Sequence, residues 1–287
     1  MLRTAVVTGA NSGVGRSVAE RFVRAGTRVV LVCRNRERGE RVRDELAGRA
    51  PADAVELELA DLSDLDGVRA LAERLSGRHR AIHALVNNAG VYRARRERTP
   101  DGLEVTMATN HLGHFVLTTR LRATLERGGA RVVNVSSNGH RSARLRRAPL
   151  EAILTGEAWA GGIQAYCDSK LANVLFTFEL ARRWSGSGIV VNALHPGVLS
   201  TRIWNQNANL PSLLMRLVKP FMKPPRVGGE AAFALAAGPS GGGAGGRYFD
   251  VAVDAKAGAD AYDEGLARDL WNESERVTAA VLREATA

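Results

Sequence analysis

Tyr166 and Lys170 are the residues whose types and spacing indicate chemistry most directly. Side chains four positions apart lie on one face of a helix, so a phenol and an ammonium group would project into the same space. A free tyrosine titrates at about pH 10 and is a poor acid or base at neutral pH. A neighbouring positive charge favours the phenolate and lowers the pKa of the phenol. The pair therefore predicts general acid–base chemistry at a tyrosine.

A glycine-rich turn near the amino terminus predicts a phosphate-binding site. A strand-like run, Thr4 to Thr8, precedes it, and a helical pattern runs from Val14 to Ala25. Glycines between a strand and a helix let the backbone approach a pyrophosphate, whose charge faces the helix N-terminus. The candidate contacts of a dinucleotide in this turn are Gly9, Asn11, Ser12, Gly13, Val14 and Gly15.

The residues that follow the second predicted strand (28–33) bear on which dinucleotide binds. An NAD site places an acidic residue there to accept a hydrogen bond from the ribose 2′-hydroxyl. This chain instead has Arg34, Asn35 and Arg36, and a guanidinium group suits a 2′-phosphate. The sequence thus predicts NADP(H), with Arg34 and Asn35 as contacts. An ordinary surface arginine is the alternative interpretation of Arg34.

The elements that must position these residues alternate regularly. Predicted strands cover 4–8, 28–33, 55–59, 82–86, 131–135, 189–194 and 247–250, and predicted helices cover 14–25, 37–47, 65–75, 102–126, 165–184 and 229–237. Continuous apolar strands that alternate with helices indicate a parallel sheet covered on both faces. We therefore predict an α/β fold, a Rossmann-type doubly wound parallel sheet, in a single domain over residues 1–287.

Further motifs follow the predicted strands in a fixed order. Asp61-Leu62 follows the third strand, Asn87-Asn88-Ala89-Gly90 ends the fourth, and Pro196-Gly197 follows the sixth. With the glycine turn and the Tyr166–Lys170 pair, this order resembles the short-chain dehydrogenase/reductase family over nearly the whole chain. The resemblance implies further cofactor contacts at Asp61, Leu62, Asn88, Ala89, Gly90, Tyr166, Lys170, Pro196, Gly197, Val198 and Thr201.

The resemblance also implies a reaction, in which a hydride moves between NADP(H) and a carbonyl or alcohol. Tyr166 would be the acid/base, and Lys170 would bind the nicotinamide ribose. Ser137 would hydrogen-bond the substrate oxygen, with Ser136 as the alternative, and Asn110 would hold a proton-relay water. The runs TGANSGVGR, VCRN, VNVSS and YCDSKLANVLF most resemble the retinol-dehydrogenase-like branch. Retinoid turnover does not follow from that likeness alone.

Charge and composition argue against several other functions. The chain of 287 residues carries a formal charge of +10, supplied mainly by scattered arginines. Its densest basic run, Arg141 to Arg147, has no interleaved aromatic residue, so we predict a solvated basic surface and no nucleic-acid partner. Cys33 and Cys167 cannot form a disulfide framework. His111 and His114 have no carboxylate or cysteine on their helical face, so we predict no metal.

The remaining predictions concern the substrate and its surroundings. No apolar run approaches the roughly 20 residues of a membrane span, and the first strand begins beside Met1, so we expect a cytoplasmic protein without an anchor. Apolar residues between Ser200 and Pro225 recur at helical spacing and predict a substrate lid over about 200–225. We expect a hydrophobic small-molecule substrate and a dimer or tetramer, although a monomer is possible. The competing functions are a sugar-nucleotide epimerase and a non-catalytic NADP-binding scaffold.

Overall fold

The central feature of the fold is one eight-stranded sheet. The computed structural model describes residues 2–51, 53–197, 224–251 and 253–284. The strands are β1 (Thr4–Thr8), β2 (Arg28–Cys33), β3 (Val55–Leu59), β4 (Ala84–Asn87), β5 (Arg131–Val135), β6 (Val190–His195), β7 (Arg247–Asp250) and β8 (Val253–Ala255). Their order across the sheet is β3-β2-β1-β4-β5-β6-β7-β8. Only the β7–β8 pair is antiparallel among these neighbours.

Helices cover both faces of the sheet. They are α1 (Gly13–Arg24), α2 (Arg36–Ala47), α3 (Leu65–Arg78), α4 (Val105–Met107), α5 (Gly113–Arg120), α6 (Arg122–Gly128), α7 (Leu150–Leu154), α8 (Gly162–Arg183), α9 (Pro225–Ala236) and α10 (Glu264–Glu284). Side chains alternate along each strand, so Ala5 and Val7 pack with α1, α2 and α9, whereas Val6 packs with α3, α5, α8 and α10. The predicted α/β, Rossmann-type doubly wound sheet is confirmed.

Two features of the structure are not among the predicted elements. The continuous helix expected over 102–126 is interrupted by a π-helical turn at Ala108–Leu112 and ends at Arg120 before α6 begins. The side chain of Asn110, in the middle of that turn, bonds to backbone groups of Val91 instead of projecting from a regular helix. The second difference is β8, a three-residue edge strand, which is too short to produce an alternating pattern in the sequence.

The basic segment Arg141–Arg147 is exposed at Arg141, Arg144 and Arg146, in line with the predicted solvated surface, and it is also held by specific contacts. Arg141 donates hydrogen bonds to the backbone carbonyls of Lys256 and Ala257. Arg147 pairs with Asp168, whose side chain is wholly buried. Two 3-10 turns, Asn138–Ser142 and Leu145–Arg147, carry the segment across the molecule. Part of the positive charge therefore serves to fasten this segment.

Candidate active site

A cleft lies at the carboxyl ends of the parallel strands, where the strand order reverses between β1 and β4. Open α/β sheets bind ligands at this position. The cleft has a volume of about 640 Å³, which is in the range of small-molecule sites. The predicted residues that line it are Gly9, Asn11, Ser12, Gly13, Val14, Arg34, Asn35, Asp61, Leu62, Asn88, Ala89, Gly90, Ser137, Tyr166, Lys170, Pro196 and Gly197.

The glycine turn forms one end of the cleft. Gly9 and Gly13 have φ values of +65° and +57°, which side chains rarely adopt. A Cβ at Gly15 would lie 2.3 Å from the Gly9 carbonyl oxygen, so Gly15 supports the turn from behind and does not line the cleft. Ser12 precedes α1 and makes no side-chain cap to it. The first N–H groups of α1 therefore face the turn without a side-chain acceptor, as in sites that bind phosphate.

Beside the glycine turn, arginines surround the adenosine end of the predicted dinucleotide site. Arg34 is half exposed and lies 3.4 Å from the Asp61 carboxylate. Burial acts to raise the pKa of Asp61, but hydrogen bonds from Ser63 and the charge of Arg34 outweigh it and lower that pKa. Asn35 caps α2 by accepting a hydrogen bond from the Arg38 backbone N–H at 2.8 Å. The two predicted contacts Arg34 and Asn35 thus each have a second structural role.

Sequence reasoning missed three arginines that line the same end, namely Arg16, Arg38 and Arg41. Arg16 pairs with Glu45 and Arg41 pairs with Glu37. Arg38 makes no side-chain ion pair or hydrogen bond with any described residue. Arg38 lies in the first turn of α2, close after the carboxyl end of β2. This position in the sequence could have indicated Arg38 as a further contact.

Tyr166 lies on the wall of the cleft, in the first turns of α8, with 7% of its surface exposed. The Ser137 side chain hydrogen-bonds its phenol. The Ser136 hydroxyl instead donates to the Lys170 carbonyl at 2.7 Å. Of the two candidate serines, Ser137 is therefore the one that faces the phenol.

The ionisation of this pair differs from the expectation that the phenol pKa is lowered. Burial raises the pKa of Tyr166 to about 12, and the Ser137 hydrogen bond only partly opposes it. Burial also lowers the pKa of Lys170 to about 8. The Lys170 Nζ atom donates to the Val135 carbonyl at 3.0 Å and lies 5.6 Å from the centroid of the Tyr166 ring. Burial therefore dominates the pKa of Tyr166, and the protein groups alone favour a neutral phenol at neutral pH.

Asn110 lies behind the cleft wall and is fully buried. Its Oδ1 accepts from the Val91 backbone N–H at 2.7 Å, and its Nδ2 donates to the Val91 carbonyl at 3.1 Å and to the Ser169 Oγ at 2.9 Å. The Ser169 hydroxyl in turn donates to the Tyr166 carbonyl at 2.7 Å. Asn110 thus connects the loop after β4 to the helix that carries Tyr166.

Two predicted cofactor contacts, Val198 and Thr201, lie outside the described residues, as does most of the segment proposed as a lid. Before them, His195 also lines the cleft. Its Nδ1 is buried, and no described group bonds to it. Within the described part of the chain, no cluster of three or more histidine, cysteine, aspartate or glutamate side chains could hold a metal ion.

The comparisons with known proteins agree with this geometry. A family model for short chain dehydrogenases matches residues 3–148. Retinol dehydrogenase 12 of Bos taurus is 37% identical over 273 residues, which cover 95% of this chain and 85% of that protein. Retinol dehydrogenase 14 of Mus musculus is 38% identical over 288 residues, with the same coverage of both chains. This chain belongs to the short-chain dehydrogenase/reductase family, in its retinol-dehydrogenase-like branch.

Solved structures of this family extend the likeness. An uncharacterised protein from Mycobacterium Paratuberculosis superposes with a TM-score of 0.75 and 31% identity, covering 96% of this chain and 93% of that one. The Pseudomonas aeruginosa RhlG/NADP active-site complex gives a TM-score of 0.69 at 26% identity, covering 87% and 94%. This short-chain dehydrogenase/reductase is therefore an oxidoreductase that uses a nicotinamide cofactor and acts on a small molecule.

Apolar side chains lie near the phenol of this short-chain dehydrogenase/reductase, next to the residues that line the cleft. The Tyr92 ring packs edge-on against Tyr166, with centroids 6.5 Å apart. Ile163, one helical turn before Tyr166, is 67% exposed. No helix in the described ranges is long and apolar enough to cross a bilayer.

Proposed function

We propose that this enzyme uses NADPH to reduce the carbonyl group of an apolar small molecule, with Tyr166 as the proton donor. The observation that carries the proposal is the hydrogen bond between Tyr166 and Ser137. Both residues line the same cleft as the glycine turn. The reacting carbonyl would bind beside the two hydroxyl groups, as polarisation of its oxygen requires.

The residues at both ends of the cleft fit a bound NADPH. Gly9 and Gly13, whose positive φ values shape the turn, line the cleft where a pyrophosphate would bind, and α1 begins at this turn with its first N–H groups uncapped by a side chain. Arg34 and Arg38 supply positive charge where a 2′-phosphate would lie. No carboxylate follows β2 directly, which supports NADPH over NADH.

The protonation states favour the reductive direction. When bound, NADPH supplies a hydride to the carbonyl carbon. The raised pKa keeps the Tyr166 phenol protonated at neutral pH, so it can donate its proton to the carbonyl oxygen as negative charge develops there. Ser137 would hydrogen-bond the same oxygen. Lys170, with two ammonium protons left after its bond to Val135, would hold the ribose, and Asn110 would keep the helix and the loop after β4 in place.

We infer the substrate class from the apolar side chains near Tyr166. Tyr92 and Ile163 offer ring and aliphatic surface next to the phenol, which suits an extended apolar aldehyde or ketone. Several relatives are named retinol dehydrogenases, so retinal is the first compound to test. The cytoplasmic location and the dimer or tetramer stay predictions.

The decisive experiment compares Tyr166→Phe with the wild type. NADPH consumption would be followed against retinal and a panel of aldehydes, ketones and quinones, and NADPH binding would be measured by cofactor fluorescence. We expect Tyr166→Phe to lose at least about a hundredfold in kcat while it still binds NADPH. Tyr262→Phe is the matched control, because Tyr262 lies at the surface. Near-normal turnover by Tyr166→Phe would refute the proposed role of the phenol, and a wild type that binds NADPH but reduces nothing would favour the non-catalytic scaffold.

A further inference from the structure

His114 is a buried histidine with both ring nitrogens engaged near the site. It is the second residue of α5, directly after the π-helical turn. Its Nδ1 lies 3.0 Å from the Asn110 carbonyl oxygen, and its Nε2 lies 2.9 Å from the Thr8 hydroxyl. The ring therefore joins the turn that carries Asn110 to the last residue of β1.

The partners of His114 determine its tautomer. A backbone carbonyl can only accept a hydrogen bond, so Nδ1 must carry the proton that bonds to Asn110. Burial lowers the pKa of His114 to about 4; the Asn110 carbonyl acts to raise it, and the charge of Lys170 lowers it further. The ring is therefore neutral at pH 7, and its Nε2 must accept a hydrogen bond. The Thr8 hydroxyl is the donor: it lies 2.9 Å from Nε2, closer than its other acceptor, the Val86 carbonyl at 3.3 Å.

The Thr8 hydroxyl is also an acceptor, and this links the ring to the cofactor side of the cleft. The backbone N–H groups of Asn88 and Ala89 donate to Thr8 Oγ1 at 2.9 and 3.0 Å. The Asn88 side chain donates to the Thr8 carbonyl at 2.8 Å. Thr8 immediately precedes Gly9, so its hydroxyl joins the start of the glycine turn to the end of β4 and to His114. With two N–H donors and one acceptor, the hydrogen-bonding capacity of this hydroxyl is filled.

On its other side, His114 reaches the groups behind Tyr166. His114 bonds to the backbone carbonyl of Asn110. The side-chain amide of Asn110 in turn bonds to Val91 and Ser169. Ser169 bonds to the Tyr166 carbonyl. A continuous hydrogen-bonded chain therefore runs from the glycine turn through His114 to the helix that carries the phenol.

We propose that His114 is a positioning residue that fixes the spacing between the glycine turn and Asn110, and through them between the bound cofactor and the phenol of Tyr166. The inference rests on the proposed function. Hydride and proton must reach adjacent atoms of one carbonyl, so an error in this spacing of a fraction of an ångström would lower turnover. His114 touches neither reacting atom and acts only through Thr8 and Asn110.

His111 provides a matched control on the same helical stretch. It is as buried as His114, but its Nε2 bonds to the Ser274 Oγ at 2.9 Å, on α10 and away from the cleft. Its ring packs against Phe176 with centroids 5.9 Å apart. A histidine-to-phenylalanine change there removes a comparable ring and its polar contacts with Ser274 and Asn173, without removing a hydrogen bond of the chain from Thr8 to Asn110.

The test compares His114→Phe, His114→Asn, His114→Gln and His111→Phe as full-length proteins. We expect His114→Phe to lower kcat about tenfold or more and to weaken NADPH binding about threefold, whereas His111→Phe changes both by less than about twofold. Asparagine places an amide near the position of Nδ1, and glutamine places one near that of Nε2. Each should recover at least about threefold of the lost kcat, because each restores one of the two hydrogen bonds.

The outcomes separate this inference from the proposed function. If the wild type is active and His114→Phe matches His111→Phe, the inference is wrong and the proposed function stands. If the amide variants recover nothing relative to His114→Phe, the ring only fills space, and the inference is again wrong. A wild type without carbonyl reduction refutes the proposed function, and the inference falls with it.

A measurement on the ring itself gives an independent check. In protein with ¹⁵N-labelled histidine, the signal that His114→Phe removes should show the Nδ1–H tautomer and should not titrate from about pH 8 down to about pH 6. An Nε2–H tautomer, or titration in that range, would contradict the hydrogen-bonded chain.

Discussion

The Arg147 guanidinium donates a 2.5 Å hydrogen bond to the Asp168 carboxylate, which lies between Tyr166 and Lys170 on α8. The second carboxylate oxygen accepts from the Arg144 backbone N–H and from Gln164, both at 2.8 Å. The turn Asn138–Ser142, which leads into the fastened segment Arg141–Arg147, begins directly after Ser137. The ion pair therefore holds the two sides of the Ser137–Tyr166 contact together.

Breaking this ion pair should destabilise the enzyme strongly. Arg147→Met leaves a buried carboxylate without its cationic partner, so we expect the free energy of unfolding to fall by about 3–5 kcal/mol in urea titrations. Arg146→Met is the control, since Arg146 on the same segment pairs with Asp263 at the surface, where a pair contributes about 0–1 kcal/mol. Equal losses in the two variants would contradict a special role for the buried pair.

The buried charge of Lys170 should make the folded protein less stable, although the residue is needed for activity. No described carboxylate pairs with its buried ammonium group, and burial lowers its pKa from 10.5 to about 8. That shift corresponds to a cost on the order of 3 kcal/mol for keeping the charge in the folded protein. Replacement by methionine leaves the Val135 carbonyl bonded to Asn173 at 3.3 Å. We therefore expect Lys170→Met to be inactive, yet more stable by about 1–2 kcal/mol at neutral pH, because lost contacts offset part of the gain.

The gain from Lys170→Met should depend on pH in a defined direction. Below about pH 8 the lysine is charged in both the folded and the unfolded wild type, so the full cost of burial is present. Between about pH 8 and pH 10.5 the unfolded state binds more protons than the folded state, and wild-type stability rises relative to the variant. Across a series of pH values, the stability advantage of the variant, measured by denaturant titration, should therefore shrink above pH 8 and reverse before about pH 10.5. An advantage that stays constant or grows over this range would show that Lys170 carries no such cost.

Ser137→Ala should impair catalysis more than Ser136→Ala. The Ser137 hydrogen bond acts to lower the pKa of Tyr166, so its loss raises that pKa further and removes a donor to the substrate oxygen. We expect kcat for reduction to fall about 10- to 100-fold. In alcohol oxidation, which needs the phenolate, the rising limb of the pH–rate profile should move to higher pH. If Ser136→Ala proves the more damaging change, the serine next to the strand is the substrate contact.

The parts of the fold that could be predicted from sequence are those with a continuous local pattern. Valine-rich runs such as Arg28–Cys33 and Arg131–Val135 are buried on both faces, and their composition reveals them. The π-helical turn at Ala108–Leu112 could not be found in this way, because it depends on hydrogen bonds between Asn110 and Val91, which are 19 residues apart. The same holds for the Arg147–Asp168 pair, which in sequence is part of an ordinary basic run.

The candidate site was predictable where motifs follow strand ends, since parallel strands bring their carboxyl ends to one edge. Sequence could not show whether Ser136 or Ser137 faces the phenol. That depends on which of the two hydroxyl groups donates a hydrogen bond to the Lys170 carbonyl, and in the structure it is Ser136. It also missed the raised pKa of Tyr166, because spacing reveals the nearby ammonium group but not the extent of burial.

Cofactor preference provides the last prediction, and Arg38 is central to it. Its guanidinium lines the adenosine end of the cleft without a described carboxylate partner, whereas Arg34 already faces Asp61. A 2′-phosphate gains a charge-assisted hydrogen bond from Arg38 that a 2′-hydroxyl does not need. Arg38→Ala should therefore raise the Kd for NADPH about tenfold or more and change the Kd for NADH by less than about twofold. Arg34→Ala should have a smaller effect in the same direction.

Arg36→Ala is the control for both arginine variants, because Arg36 lies beside them in sequence but is 70% exposed and does not line the cleft. Titrations of cofactor fluorescence with NADPH and NADH would give the ratio of the two Kd values for each protein. General loss of positive charge would weaken NADPH binding similarly in all three variants and would fade at high salt. A specific contact instead confines the loss to Arg38→Ala and Arg34→Ala. If Arg36→Ala weakens NADPH binding as much as they do, these arginines provide only a diffuse positive field.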